Sequence, residues 1–340
     1  MKFSEIMLGT CLLWSILGTD ASPQQGLHIT TPCCPWPVRG MPPSVMNTVS
    51  ALQMYGSQPG FHHGLDLQAP AGTKIYAPVS GVVATRYYYK RQSPYAYEVS
   101  LAAEDGYRWE FHHIDPESIP WDIRQLAEQR GMVPQGAVLG AIYDASQVNL
   151  PPHVHINVLD AEGAYHDPLK FFPSLDDPQP PVIKGLYLVD NRNHVVAAEE
   201  TREPRLQRVK LGTYELVVDA LDEMPPSTIG QPVHRLEVFV EIGHRDASPI
   251  TRRIASVHLD RLPEKDFLSG VQTIYKINPI LRHDGTPITN QVHTARPRKF
   301  LFRFPLEEAM LPLMTEVGIN VVAYDYAGNQ DTCRMTLLLE

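Results

Sequence analysis

The sequence lacks the features that mark nucleic-acid-binding and membrane-surface proteins. Lys and Arg together number 29 against 38 Asp and Glu, which gives a formal net charge of −9, and no block of basic residues occurs. We therefore expect no nucleic-acid partner and no cationic surface for anionic lipid. No internal repeat is evident either, so a repeat architecture is not expected.

Cysteine is also scarce, and the four that occur are Cys11, Cys33, Cys34 and Cys333. Their spacing matches no zinc-knuckle pattern, so a metal site in this chain would have to use histidine and carboxylate ligands. A disulfide from Cys33 or Cys34 to Cys333 would join the two ends of the chain. Both pairings stay open, because spacing alone does not fix the geometry of a disulfide.

The apolar run near the N-terminus, Ile6 to Gly18, is too short to span a membrane. It follows Lys2 and precedes the small residues Thr19 and Ala21, which is the pattern of a secretory signal peptide. We expect cleavage after Ala21, which would give an exported protein without a membrane span. An uncleaved anchor is the alternative.

Proline is abundant, with 31 residues in a chain of 340, and this favours strands, turns and loops over long helices. The length is sufficient for two domains. Stretches rich in proline separate the strand-like regions. The predicted organisation is a signal peptide (1–21), an irregular N-terminal arm (22–57), a first domain (58–172), a linker (173–182) and a second domain (183–340).

Short strand patterns follow one another through the first domain. Residues 97–114 predict a hairpin with Asp105 and Gly106 in its turn. The stretch 118–131 predicts a helix that Ser118 caps and Gly131 ends. Strand patterns return in "GAVLGAI" and "PHVHINVLD".

The second domain shows strong alternation of apolar and other residues, which predicts strands with one buried face. Such strands with turns between them indicate an immunoglobulin-like β-sandwich, with long loops in the region 244–298. The alternating sets are Tyr214, Leu216 and Val218; Leu236, Val238, Val240 and Ile242; Phe300, Phe302 and Phe304; Ile319, Val321 and Ala323; and Cys333, Met335, Leu337 and Leu339.

Half of the 14 histidines lie between residues 62 and 166. They concentrate in the segments "FHHGLDL", "EFHHI" and "PHVHI". In the last segment His153 and His155 alternate with apolar residues, so both imidazoles should lie on one face of a strand. A catalytic zinc usually has three ligands from His, Asp or Glu, with further groups for acid–base chemistry beside it. Asp66 and these histidines are the candidates.

Four segments in order resemble the lysostaphin-type zinc endopeptidases, also called the LytM or β-lytic family. They are "HHGLDLQAPAGTKIYAPVSGVV", "FHHI", "PQGAVLGAI" and "PHVHINV", and they extend over about residues 58–172. Each motif alone is weak, but four in the family's order are specific. The resemblance implies a mainly β fold, with an antiparallel, β-rich peptidase domain of the duplicated-hybrid-motif type and the site in a groove.

The resemblance also implies the role of five residues. His62, Asp66 and His155 match the family's zinc ligands, so the implied cofactor is Zn²⁺. His113 matches the histidine that polarises water or stabilises the oxyanion, and His153 matches the general base.

Two neighbouring histidines, His63 and His112, fall at positions that vary in the family. One departure concerns the turn before the last motif, "YDASQVNLPPHVH", which has two prolines where the family often has a turn rich in Gly, Ser and Thr. That turn flanks the groove, so the choice of bond is not implied.

The implied function is an exported zinc metallo-endopeptidase, periplasmic or extracellular in a bacterium, that hydrolyses peptide bonds in the stem or cross-bridge of peptidoglycan. The alternative is a non-catalytic protein that binds the cell wall or regulates an amidase. The presence of all five metal and catalytic residues favours the enzyme. For the second domain, adhesion, spacing or substrate positioning are the functions that fit its pattern.

Overall fold

The structure is a computed structural model. It describes residues 34–55, 58–87, 93–148, 150–201, 203, 205–244, 247–262, 267–292, 298–306 and 316–340. The expected signal peptide, 1–21, lies outside the described residues. Residues Pro32–Glu340 form one compact unit. In the described part of the chain, no helix has the length and apolar character that crossing a membrane requires.

The N-terminal half of the unit is built on one large antiparallel sheet. The elements of this half are β1 (Val45–Asn47), β2 (Leu52–Tyr55), β3 (Gln58–Phe61), β4 (Leu65–Gln68), β5 (Lys74–Tyr76), β6 (Gly81–Tyr87), β7 (Tyr97–Ala102), β8 (Arg108–His112), α1 (Trp121–Gln129), β9 (Met132–Val133), β10 (Val138–Ala141), β11 (His153–Leu159) and β12 (Tyr165–His166). The strands of the large sheet run in the order β1-β4-β11-β8-β7-β6-β9, and β12 pairs with β11.

The predicted hairpin over 97–114 is confirmed as β7 and β8, which pair antiparallel. In its turn, Gly106 has a φ of 90°, which glycine adopts without steric cost. The carboxylate of Asp105 accepts a hydrogen bond from the amide of Tyr107 at 3.0 Å. The turn chemistry that the sequence offers is therefore the chemistry that closes the hairpin.

The predicted helix over 118–131 is confirmed as α1, but the predicted cap is wrong. Pro120 occupies the N-cap position, and no side chain caps the helix. The hydroxyl of Ser118 instead accepts a hydrogen bond from the amide of Ala141 at 2.7 Å and ties the helix entry to β10. At the other end Arg130 is left-handed, and the amide of Gly131 donates to the carbonyl of Leu126.

The arm 22–57 is not irregular over its described residues, because part of it joins the sheet. β1 pairs antiparallel with β4, so that Val45 lies opposite Leu67. Val45 is buried, and β2 pairs with β3 to form a separate two-stranded ribbon. These strands are not predicted from the sequence, because each is short and lies beside turn residues.

The C-terminal half contains two five-stranded sheets. One has the order β14-β13-β16-β17 with β23 on β16, and the other has the order β15-β25-β24-β18-β19. The elements are β13 (Val182–Val189), β14 (Val195–Glu199), β15 (Leu206–Val209), β16 (Tyr214–Glu223), β17 (Gly230–Gln231), β18 (Arg235–His244), β19 (Ala247–His258), β20 (Arg261–Leu262), α2 (Phe267–Ile274), β21 (Ile280–Leu281), β22 (Pro287–Ile288), β23 (Leu301–Leu306), β24 (Glu316–Tyr324) and β25 (Gln330–Leu339).

The two sheets share one hydrophobic core. Every apolar residue in the alternating sets read from the sequence belongs to this core or packs against it. The predicted strand faces are therefore confirmed, since a period of two puts those side chains on one side of each strand. An immunoglobulin-like strand order stays a prediction, and β15 pairs with β25 in parallel.

The region 244–298 is more regular than predicted. β19 pairs with β18 along most of its length, and helix α2 follows later in this region of the chain. β19 lies at the edge of its sheet and exposes Ile250 at 58%. An edge strand that carries charged residues such as Arg252 and Arg253 shows little apolar alternation, which is why the sequence indicates a loop there.

Each half contributes residues to the sheet or the hydrophobic core of the other. β20, from the C-terminal half, pairs with β12 and so extends the N-terminal sheet. Val49 and Phe61 are buried in the C-terminal core, while Met224 is buried in the N-terminal one. The predicted division at 173–182 stays a prediction.

Two cysteines lie in different cores. Cys34 is buried in the N-terminal core and Cys333 in the C-terminal core. Cys33 lies outside the described residues.

Candidate metal centre and cleft

Strand pairing brings the predicted residues together at one place on the N-terminal sheet. His155 on β11 stands opposite Asp66 on β4 and, on its other side, opposite His112 on β8. His62 lies directly after β3, four residues before Asp66. His62 and Asp66 are buried, with 3% and 4% exposure. Residues that are far apart in the chain thus meet because their strands are neighbours.

The short segment between His62 and Asp66 passes very close to β11. A Cβ atom on Gly64 would meet the carbonyl oxygen of Ile156 at 2.1 Å and Oδ1 of Asn157 at 2.6 Å. Any side chain at this position would push the first ligand segment away from the strand that carries His155. Glycine is required here for close approach of the backbone.

Three candidate ligand atoms converge. Oδ1 of Asp66 lies 2.7 Å from Nδ1 of His155 and 3.1 Å from Nε2 of His62. The two imidazole nitrogens lie 2.9 Å from each other. Such crowding of lone-pair donors suits a cation between them.

Each imidazole makes a hydrogen bond on the side away from the site, and this bond fixes which nitrogen presents a lone pair to the site. Nδ1 of His62 donates to the carbonyl of Thr48 at 2.9 Å, which leaves a lone pair on Nε2. Nε2 of His155 donates to Oδ1 of Asn157 at 2.7 Å, which leaves a lone pair on Nδ1. Two histidine nitrogens and one carboxylate are a donor set typical of catalytic zinc. His62, Asp66 and His155 can therefore hold a metal ion.

Asp66 stays a carboxylate in this setting. Burial alone would raise its pKa, but the imidazoles of His62, His153 and His155 around the carboxylate hold the pKa well below its usual range. A ligand that is ionised at neutral pH needs no proton removed before it binds a cation.

His153 and His113 lie beside the three ligands. Nε2 of His153 is 3.9 Å from Oδ1 of Asp66, and its ring centroid is 4.7 Å from that of His113. Nδ1 of His153 donates to the carbonyl of Pro151 at 2.7 Å, and Nδ1 of His113 donates to the carbonyl of Tyr95 at 2.9 Å. In each neutral ring the lone pair is therefore on Nε2.

A local break in β8 places His113 in the cleft. His113 has a φ of 62°, in the left-handed region, directly after the last residue of the strand. This interrupts the alternation of side chains, so that the consecutive residues His112 and His113 both line the same cavity. The ring of Tyr95 stacks on His113 with centroids 3.9 Å apart and fixes its orientation. Burial lowers the pKa of His113 well below its usual value, so the ring is neutral at pH 7.

Sequence reasoning missed the residues that orient His155. Oδ1 of Asn157 accepts from His155, and its amide nitrogen donates to Oε2 of Glu110 at 3.1 Å. The same nitrogen lies 3.1 Å from Nε2 of His112. The signal was present, because Asn157 continues the alternation of His153 and His155 on β11, and Glu110 precedes His112 by two residues on β8.

The buried charge of Glu110 is balanced locally. Arg108 donates to its carboxylate at 2.9 Å, and Arg86 lies 3.4 Å away. Although burial opposes ionisation, hydrogen bonds from His112 and Asn157 help lower the pKa of Glu110 to about 2. The series of hydrogen bonds from His155 through Asn157 therefore ends at the ionised carboxylate of Glu110.

Two histidines of this region, His63 and His166, contact neighbouring side chains, and His63 also lines the cavity. His166 lies 2.7 Å from Oδ2 of Asp160. The ring of His63 packs 4.8 Å from Tyr165, and burial lowers its pKa to about 3.

The candidate ligands open into a cavity of about 730 Å³. The arm contributes to its wall through β1 and β2, and the C-terminal half contributes Val292 and Arg298. Nη1 of Arg298 donates to Oδ1 of Asn47 at 2.9 Å. Neither the predicted arm nor the predicted second domain is remote from the cleft, which the sequence did not indicate.

The fold and site define a β-rich protein with a candidate histidine–aspartate metal centre on an antiparallel sheet. Residues 60–168 match the model of peptidase family M23. This match confirms the predicted resemblance over about 58–172. No curated protein sequence matches the chain significantly.

Solved structures with similarity to the chain include proteins from three bacteria. A chain from Pseudomonas aeruginosa assigned to peptidase M23 is 26% identical with a TM-score of 0.27; the match covers 42% of this chain and 51% of that one, so this chain spans about half of its length. A variant of the catalytic domain of EnpA, a prophage-encoded M23 protein of Enterococcus faecalis, is 21% identical with a TM-score of 0.29, over 39% and 94% of the two chains. A zinc-containing peptidase from Vibrio cholerae is 20% identical with a TM-score of 0.25, over 37% and 36%.

Proposed function

We propose that the protein is an exported zinc metallo-endopeptidase that hydrolyses a peptide bond in bacterial peptidoglycan. The observation that carries the proposal is the convergence of three ligand atoms within 3.1 Å of each other, with His113 and His153 beside them in one cavity. The match of residues 60–168 to a peptidase family supports it. Export is supported by the signal-peptide pattern of the first 21 residues.

His62, Asp66 and His155 would hold the zinc. When bound, zinc polarises a carbonyl group and lowers the pKa of a water molecule toward neutrality. The fit rests on the donor set and on the tautomers that Thr48 and Asn157 impose on the two histidines. Both outer hydrogen bonds keep the lone pairs directed inward.

His153 is suited to the general base. Its Nδ1 is occupied by the carbonyl of Pro151, so Nε2 is the atom that takes a proton. Nε2 lies 3.9 Å from a ligand oxygen of Asp66, so the base stands directly beside the ligand set, within reach of a water molecule held there. The proton would pass from water to Nε2 and then to the leaving amine.

His113 is suited to orienting water. As a neutral ring with Nδ1 donating to Tyr95, it offers an acceptor at Nε2 and no donor there. It would therefore hold the attacking water by accepting its hydrogen bond, and it would stabilise an oxyanion only after Nε2 has gained a proton. Of the two roles that the sequence implies, the structure of the ring favours polarising water.

The test is mass spectrometry of muropeptides after digestion of purified peptidoglycan by the zinc-loaded protein, with a chelated sample beside it. New fragments that disappear with the chelator, and that return on adding zinc, are the expected result. Their masses would name the bond. No new fragment from a protein that binds zinc and peptidoglycan would contradict the enzyme and favour the non-catalytic alternative.

Variants separate the roles. His153→Ala and His113→Ala should each lower the rate at least about 100-fold, the typical contribution of a positioned acid or base, while zinc stays bound at one per chain. His166→Ala is the matched control, since this histidine lies outside the cavity wall. A His113→Ala protein with unchanged activity would exclude the role given to His113.

A further inference from the structure

Three buried aspartates meet at the junction of the two halves, away from the cleft. They are Asp177, Asp222 and Asp325, with exposures of 8%, 0% and 2%. One carboxylate oxygen from each lies within 4.8 Å of the others. Carboxylates are rarely buried unless they are paired or bound to a metal.

Each aspartate comes from a different part of the fold. Asp177 belongs to the segment between β12 and β13, Asp222 belongs to β16 in one sheet, and Asp325 directly follows β24 in the other. The cluster therefore joins the connecting segment to both sheets of the C-terminal half.

Two of the three carboxylates receive hydrogen bonds. Asp177 accepts from the amide of Gln179 at 3.1 Å. Asp325 accepts from the amide and the side chain of Asn329 at 2.8 and 2.7 Å. The Asn329 side chain also donates to the carbonyl of Asp177 at 2.9 Å. This hydrogen bond holds the turn between Asp325 and Asn329 against the segment that connects the two halves.

Asp222 is different. It is completely buried, and neither of its carboxylate oxygens has a hydrogen-bond partner in the described structure. Among the described residues no Lys, Arg or His forms an ion pair with any of the three aspartates. Burial and the charges of Asp177 and Asp325 raise the pKa of Asp222 to about 8, with the backbone of Glu223 opposing the shift. A cation at this place could take the position of that proton and balance the three carboxylates.

We propose that Asp177, Asp222 and Asp325 bind a Ca²⁺ ion that fastens the connecting segment to the two sheets. The donors are all oxygen, which a hard cation prefers and which distinguishes the cluster from the histidine centre in the cleft. Oxygen ligands on opposite sides of calcium lie about 4.6–5.2 Å apart, so a cluster whose atoms lie within 4.8 Å of one another is compact enough for one ion to reach all three. Ca²⁺ tolerates the irregular geometry of three separate segments, whereas Mg²⁺ demands a near-ideal octahedron.

A series of hydrogen bonds connects the aspartate cluster to one of the candidate metal ligands. Asp222 is the strand partner of Gln231. Oε1 of Gln231 accepts from the amide of Thr48 at 3.2 Å, and the carbonyl of Thr48 accepts from His62. An ion bound to Asp222 would therefore also order its strand partner Gln231, which binds Thr48, the residue that accepts the hydrogen bond from His62.

The test uses the full-length protein, stripped of metal and then reloaded with one zinc per chain. Isothermal titration with CaCl₂ should show one further site per chain. Thermal unfolding with 1 mM CaCl₂ should give a Tm at least about 3 °C above the calcium-free sample. Absence of a calorimetric site would overturn the proposal, and an equal effect of MgCl₂ would overturn the assignment to calcium.

Asp222→Asn keeps the shape of the side chain and removes its charge, so the calcium site and the rise in Tm should both be lost. The calcium-free variant should be at least as stable as the calcium-free wild type, because a buried repulsion is removed. Asp176→Asn is the matched control, since Asp176 is exposed next to the cluster, and its response to calcium should stay that of the wild type.

A calcium response that survives in Asp222→Asn would overturn the site. If Asp222→Asn does not fold, Asp177→Asn at the rim of the cluster gives the same test. Neither measurement depends on hydrolysis of peptidoglycan, so the proposal and the proposed enzyme fail or succeed separately.

Discussion

Arg298 and Asn47 are 251 residues apart in the chain, yet Nη1 of the arginine donates to Oδ1 of the asparagine at 2.9 Å beside the candidate metal ligands. Both residues are buried, with 6% and 4% exposure. Nε of Arg298 has no hydrogen-bond partner in the described structure, and burial lowers the pKa of this guanidinium to about 10. This hydrogen bond of a buried cation therefore helps to hold the arm against the cleft, together with the hydrogen bond from Thr48 to Gln231.

Removing Asn47 should therefore be costly. Asn47→Ala leaves a buried guanidinium without its acceptor, and we expect a loss of about 2 kcal/mol in the free energy of unfolding. The double variant Asn47→Ala/Arg298→Met removes the stranded charge as well and should recover about 1 kcal/mol. Denaturant unfolding of both variants and of Arg298→Met measures this coupling. Additive losses would show that the two side chains do not depend on each other.

Asn157 should control the affinity for zinc, because it fixes the tautomer and the orientation of His155. We expect Asn157→Ala to weaken zinc binding about 10–100-fold. Competition with a chromophoric chelator measures the affinity. Asn320→Ala, which changes an asparagine in the other half of the unit, is the matched control and should keep the wild-type value. Equal zinc affinities of wild type and Asn157→Ala would contradict the positioning role.

Gly64 should not accept a side chain. The Cβ of Gly64→Ala would meet backbone oxygen at 2.1 Å, so the segment from His62 to Asp66 has to move away from β11. We expect a loss of about 1–3 kcal/mol in stability, as for other overpacked sites, together with weaker zinc binding. Gly243→Ala is a control, because its Cβ would meet the nearest atom at an ordinary 3.6 Å. Zinc titration and thermal unfolding of the two variants distinguish them.

Asp167 should make stability depend on pH. Burial raises its pKa from the usual 3.8 to about 7, although the amide of Leu169 donates to the carboxylate and opposes the shift. Because the folded value is the higher one, the contribution of the protonated group is complete below about pH 4 and is lost as the pH rises through 7. The full difference at pH 8 is of the order of 4 kcal/mol.

Asp167→Asn keeps the acceptor for Leu169 and has no proton to lose. Its free energy of unfolding should match that of the wild type near pH 4 and exceed it at pH 8. Denaturant titrations at a series of pH values measure the difference between the two proteins, which removes the contribution of other groups. Parallel curves for the two proteins would show that Asp167 has an ordinary pKa.

Much of the fold follows from local pattern. The hairpin of β7 and β8, helix α1 and the buried faces of β16, β18, β23, β24 and β25 could be predicted, because backbone geometry alone imposes periods of 2 and 3.6 residues. The five candidate residues could be named through the resemblance of four motifs in order, while alternation along the strand placed only His153 and His155 on one face. Asn157 was within reach of the same alternation and was overlooked.

What the sequence by itself determined is which side chains share the face of a strand and which segments carry histidine and carboxylate groups. Tertiary structure alone decided which strands are neighbours, and therefore that His62, Asp66 and His155 meet. It also brought Arg298 to Asn47 and joined Asp177, Asp222 and Asp325 at one place. These contacts connect positions tens to hundreds of residues apart, and they arise from the packing of whole sheets, which no local period records.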